Sequence, residues 1–221
     1  MRKDIKAPSI YPSILSDSKK TVSRQLGLLR QHQVPFVQLD VIDGFYADNL
    51  TLTPSDYAEY EFGQLQVDFH LMVEEPLDYV YEILDHKEKL PVRAIIAQVE
   101  RMSHQANYVS LVKEVGFLVG LSYDLYTPFE SIDASVWPDL DFVQVMGVEA
   151  GFQGQQFSSA SLELIHQVIK WRADNKLDFK LLVDGGVKPE ILDELKTLEL
   201  DGLVVGSFLW QAENFQNLYD I

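Results

Sequence analysis

The sequence predicts an α/β fold, a single (β/α)8 TIM barrel over residues 1–221, and three observations carry that prediction. Eight short apolar runs recur along the chain, and helical-period segments lie between most of them. The chain length also allots roughly 28 residues to each unit, the size of one βα repeat. Such alternation implies a parallel sheet, because parallel neighbours need a crossover, usually a helix. An open doubly wound sheet is the other closure. No G-x-G-x-x-G follows the first run, however, and a count of eight favours the barrel.

The first run, 9–15, carries Pro12-Ser13-Ile14-Leu15, and Ser16 or Asp17 is placed to cap a helix reaching about His32. The second run spans 36–42 and the third 65–72, after which Pro76 opens a helix to about Lys87. The fourth run, 93–99, precedes a helix capped by Ser103 and ending at Glu114. Runs five and six cover 117–122 and 142–146. Ser158 or Ser159 caps a helix through Arg172, and run seven covers 179–183. Lys188-Pro189 begins a helix ending near Leu198, ahead of the eighth run at 202–205. Each run is bounded by turn or charged residues, as buried strands are.

Charge narrows the function. The chain has 34 acidic against 18 basic residues, a net charge of −16, which argues against nucleic acid or an anionic membrane as a partner. A small phosphorylated ligand stays open, since backbone N–H groups hold phosphate without Lys or Arg. The absence of cysteine excludes disulfides, thiolate metal sites and thiol nucleophiles. With no apolar leader and no apolar run of membrane-spanning length, a cytoplasmic protein is expected.

In a barrel of this kind the site lies where strands end. By the two-residue period Gln38, Asp40 and Ile42 share one face of the second strand, and Asp68, His70 and Met72 one face of the third. Asp184 ends the seventh. Asp43, next to Gly44, reads as a turn cap. A lone His70 would be a core histidine, and lone Met72 and Met146 core fillers. Convergence changes this: Asp40, His70 and Asp184 end three strands and point into one mouth, where polar groups are costly without a role. Glycines form a second cluster: Gly151 and Gly154 after strand six, Gly185 and Gly186 after seven, and Gly206-Ser207 after eight. Together they predict a phosphate cradle. His32, His86, His104 and His166 lie on helices or their flanks and are expected to be solvated.

As an ordered set these segments resemble the ribulose-phosphate 3-epimerases. The likeness runs through Pro12–Ser16, Leu39-Asp40-Val41-x-Asp43-Gly44, Asn49–Leu52 with Pro54, Asp68–Val73 and Glu75-Pro76. It continues through Met146, Gly151-Phe152-x-Gly154-Gln155-x-Phe157, Val183–Gly186 and Val205–Ser207. The resemblance implies inversion at C3 of a ketose phosphate through an enediolate, with Asp40 and Asp184 as base and acid. It also implies that Ser13 contacts the substrate, that Met72 and Met146 line the reacting centre, and that Gly151, Gly154, Gln155, the later glycines and Ser207 hold the phosphate. A homo-oligomer is a further implication.

The resemblance also implies a divalent metal (zinc, manganese or iron) on two His and two Asp. Here Asp40, His70 and Asp184 match, while Gln38 stands at the first His, a poorer ligand that leaves the metal weakened or absent. Gln98 replaces a second family histidine, Ile42 a methionine and Gln153 a glycine. Three readings follow: a ketose-phosphate epimerase, with allulose 6-phosphate an alternative substrate suggested by Leu50–Pro54; a phosphosugar-binding homologue with little catalysis; and a barrel lyase or synthase working through an enediolate.

Overall fold

The computed structural model describes residues 7–211 and 215; the two ends of the expected 1–221 domain lie outside the described residues. Eight parallel strands close into a barrel in sequence order. They are β1 (Ser9–Ile14), β2 (Phe36–Ile42), β3 (Gln66–Met72), β4 (Val92–Gln98), β5 (Leu118–Tyr123), β6 (Phe142–Met146), β7 (Lys180–Asp184) and β8 (Gly202–Val205). The helices are α1 (Lys19–Gln31), α2 (Pro54–Tyr57), α3 (Pro76–Asp85), α4 (Gln105–Glu114), α5 (Ala160–Asn175), α6 (Pro189–Leu195) and α7 (Ser207–Gln211). No helix among the described residues is long and apolar enough to cross a membrane.

The strands match the sequence reading to within a residue or two, whereas the helix ends differ for local reasons. Ser18, not Ser16 or Asp17, caps α1, its hydroxyl accepting from the Thr21 N–H, while Ser16 Oγ accepts from the Ser18 N–H in the preceding turn. α1 then buries Val22, Leu26 and Leu29 on one stripe, each contributing about 1.5–3 kcal/mol of transfer energy. His104 rather than Ser103 occupies the N-cap of α4, with no side-chain bond to the helix. The β5–β6 crossover carries only two 3-10 turns, at Phe129–Ser131 and Trp137–Asp139, and Pro128 and Pro138 account for the break in a longer helix.

Most of the core lies between the strands and the helix layer. A smaller cluster (Tyr11, Ala94, Ile96, Phe142, Leu182 and Val204) fills the barrel interior. Gly202 is needed there, because a Cβ would sit 2.4 Å from the Tyr11 ring. Asp68 also points inward but does not join His70 in the mouth. It lies two residues nearer the strand start, where Arg93 Nε bonds its Oδ1 at 2.7 Å, a second guanidinium nitrogen takes Oδ2, and the Phe36 ring lies 4.0 Å from the guanidinium. The pair forms a charged floor beneath the site. Burial raises the Asp68 pKa, against the pull of Arg93.

Candidate active site

Strand register builds the centre. Asp40 pairs with His70 across β2 and β3, Ile42 with Met72, and Met146 with Asp184 across β6 and β7. Thr51 pins the end of β2: its hydroxyl donates to the Asp40 carbonyl at 2.8 Å and accepts from the Ile42 N–H at 2.9 Å. Asp43 acts as the cap expected of it, accepting from the Phe45 and Tyr46 N–H groups and, through its other oxygen, from Glu74 N–H.

Ligand atoms of the buried Asp40, His70 and Asp184 all lie within 4.8 Å of one another. His70 Nδ1 faces Asp40 Oδ1 at 3.1 Å and Asp184 Oδ2 at 3.5 Å, and its Nε2 faces Gln98 Nε2 at 3.3 Å. Burial opposes protonation of His70, but the hydrogen bond it donates to Asp40 and the surrounding carboxylates outweigh it and raise the pKa. Asp184 is pushed up to about 7, first by burial and then by the charge of Asp40. His70, the Gln38 amide and the Gly185 N–H pull the other way.

Amide groups fill the space around these acids. Gln38 Nε2 donates to Asp40 Oδ1 and to Asp184 Oδ2, both at 2.8 Å, and Gln144 Nε2 donates to Asp184 Oδ2 at 2.9 Å. The donor set therefore fits a divalent cation only in part. Two carboxylates and an imidazole converge, but the fourth corner presents amide hydrogens, which repel a cation. Gln38 Oε1 is buried without a partner, as are Gln98 Oε1, Ser122 Oγ and Gln144 Oε1.

Above this centre a cleft of about 530 Å³, its open mouth included, is lined by Ser13, Asp40, Met72, Met146 and Asp184 together with Gly151, Gly154, Gln155, Gly185, Gly186, Gly206 and Ser207. All these residues were expected at the site; His70 and Gln38, also expected, lie fully buried beneath it. The glycines are close-approach positions. A Cβ on Gly186, whose φ is +70°, would lie 2.5 Å from the Phe157 nitrogen, and one on Gly206 would lie 2.9 Å from Ser13 Oγ. Gln155 braces its own loop, donating to the Glu149 and Phe152 carbonyls. Gln153 reaches across to the Leu15 carbonyl at 3.2 Å.

The loop after β2 ties down the opposite side of the mouth. Asn49 Nδ2 donates to the Gly151 carbonyl at 2.6 Å, and the Tyr46 hydroxyl donates to Glu100 at 2.9 Å. Two site residues escape sequence reasoning. Gln144 is on the same face as Met146, and that alternation is a signal that could have found it. Lys188 is the one basic side chain lining the cleft among the described residues, Nζ on the Gly154 carbonyl at 3.2 Å, and sequence placed it only at a helix start. Of the remaining histidines, His104 and His166 are exposed. His86 is half-buried against Ser55, and His32 packs on the Phe215 ring at 5.1 Å, so these two depart from full solvation.

Fold and site together define a (β/α)8-barrel enzyme with a pair of buried carboxyl groups at the C-terminal mouth. The ribulose-phosphate 3 epimerase family matches residues 9–210, and the chain belongs to that family of isomerases. Similar proteins include the ribulose-phosphate 3-epimerase of Serratia marcescens, 31% identical over 209 residues, covering 94% of this chain and 97% of that protein. That of Treponema pallidum is 30% identical, covering 90% of this chain and 89% of that protein. Among solved structures, Mycobacterium tuberculosis tryptophan synthase superposes with a TM-score of 0.64 at 16% identity, over 97% of this chain and 89% of that one. Phosphoribosyl anthranilate isomerase from Thermus thermophilus superposes with a TM-score of 0.56 at 14% identity, over 96% of each. These two likenesses are of fold alone.

Proposed function

We propose that the chain inverts C3 of a ketose phosphate, interconverting ribulose 5-phosphate and xylulose 5-phosphate. The observation that carries this reading is the adjacency of Asp40 and Asp184 in one cleft, joined through a single amide. One carboxylate takes the C3 proton, leaving a 2,3-enediolate whose negative charge rests on the former C2 carbonyl oxygen; the other carboxyl group returns a proton to the opposite face of C3, restoring the carbonyl. Each turnover leaves the two acids with exchanged protonation, which solvent resets. The Gln38 and Gln144 amides and the His70 imidazole supply hydrogen-bond donors around this centre, and the polarizable Met72 and Met146 exclude water from it. The glycine loops and Ser207 are placed to hold the phosphate through backbone N–H groups.

Incubation with ribulose 5-phosphate in deuterium oxide tests the reading by NMR. Xylulose 5-phosphate bearing deuterium at C3 is the expected result. Saturable binding without exchange would instead make the protein a phosphosugar binder, and loss of carbon would make it a lyase. Allulose 6-phosphate, run in parallel, separates five- from six-carbon preference.

Lys188 gives a prediction of its own. As the basic side chain of the cleft it is placed to meet the phosphate dianion, and a charge-assisted bond contributes about 1.5–3 kcal/mol. Lys188→Met is expected to raise the Kd for phosphosugar by about tenfold or more, with little effect on a non-phosphorylated ketose, as calorimetry would show. Equal weakening of both ligands would remove Lys188 from the phosphate site.

A further inference from the structure

Gln38 spans the space between the acids, beside the His70 ring. Gln38 has two amide hydrogens, and its nitrogen lies 2.8 Å from Asp40 Oδ1 and 2.8 Å from Asp184 Oδ2, so one group satisfies both carboxylates. Gln144 supplies a further N–H to the same Asp184 oxygen at 2.9 Å. Gln38 adopts this orientation although it strands its own Oε1 in the interior. Turning the amide over would remove both N–H donors and set its oxygen against two carboxylate oxygens, an arrangement that a cation or an added proton would have to compensate. N–H groups and a cation cannot share this place: the amide hydrogens that bridge the acids here would face an ion that needs oxygens.

We propose that the Gln38 amide bridges the acid pair in place of a divalent cation. It fixes the spacing of Asp40 and Asp184 and offsets their repulsion, and the protein holds no metal tightly. Gln38 is thus a positioning residue that acts through the two acids. Only the kinetic arm of the test rests on the epimerase reading; metal content is measured without substrate.

The protein is expressed in medium containing zinc and manganese, dialysed against a chelator, and analysed for bound metal by mass spectrometry and titration calorimetry. The wild-type chain is expected to retain far less than one equivalent of either metal, and to catalyse C3 exchange at an unchanged rate after chelation. Gln38→His, which supplies a fourth ligand, is expected to retain about one equivalent. Gln38→Met, near in size but without the bridge, is expected to lose about 100- to 1,000-fold in rate with metal content still low. About one equivalent of metal surviving dialysis in the wild-type chain would overturn the proposal. So would exchange that chelation abolishes and added metal restores, or Gln38→Met turning over at full rate. Should Gln38→His fail to fold, the wild-type measurements decide alone. If no condition gives exchange, the epimerase reading falls while the metal measurements still judge the bridge.

Discussion

Asp184→Asn is expected to lower the rate of C3 inversion by about 100- to 10,000-fold, the range for loss of a positioned acid or base, with the KM for phosphosugar little changed. The informative readout is one-sided exchange. If Asp40 and Asp184 serve opposite faces of C3, removing one leaves the other able to take the proton from whichever epimer presents its C3–H to it. Asp184→Asn should therefore wash deuterium into one epimer without inverting it and leave the other untouched, and Asp40→Asn should show the reverse preference. Proton NMR on each epimer separately, in deuterium oxide, reads this directly. Both variants exchanging the same epimer, or Asp184→Asn inverting at the wild-type rate, would break the assignment of faces. The environments already differ: Asp184 takes amide hydrogens from Gln38 and Gln144, Asp40 from Gln38 and the His70 ring.

The mouth was legible because a strand has a period of two and a barrel puts every strand end at one rim. Those two rules bring Asp40, His70 and Asp184 together from positions 30 to 144 residues apart. The same period misleads at Asp68, because it gives a face and not a depth: two residues earlier on β3 is one layer lower, where Arg93 waits. Gln38 is legible as a polar residue on the right face, but its use as a bridge depends on β2 and β7 meeting across the barrel. Lys188 was not legible at all, since its direction follows from the left-handed turn at Gly185 and Gly186, with φ of +93° and +70°. Helix starts shifted for a similar reason. Neighbouring serines compete for one cap, and turn contacts around Ser16 settle the choice.

Arg93→Leu is the second large effect, and it falls on stability rather than chemistry. Asp68 is almost wholly enclosed, and Arg93 supplies both of its side-chain hydrogen bonds. Removing the guanidinium leaves a buried carboxyl group unpaired, which costs about 3–5 kcal/mol and should lower Tm by roughly 10 °C in a chain of this length. Desolvation and pairing are separable. A buried ion pair replaced whole by apolar groups is often neutral or stabilising, so Asp68→Leu added to Arg93→Leu should recover most of the loss. Arg93→Lys should fall between, keeping the charge but not the two-pronged geometry or the stacking on Phe36. Thermal and urea unfolding of the four proteins measures all of this. A single-variant loss under about 1 kcal/mol would show that the pair contributes no more than a surface bridge does, and a double variant no better than the single would show that packing around the rings, not the unpaired acid, sets the cost. Because the floor lies a layer beneath His70, the variants should keep their kcat below the melting range, which separates the residues that hold the barrel together from those that work at its mouth.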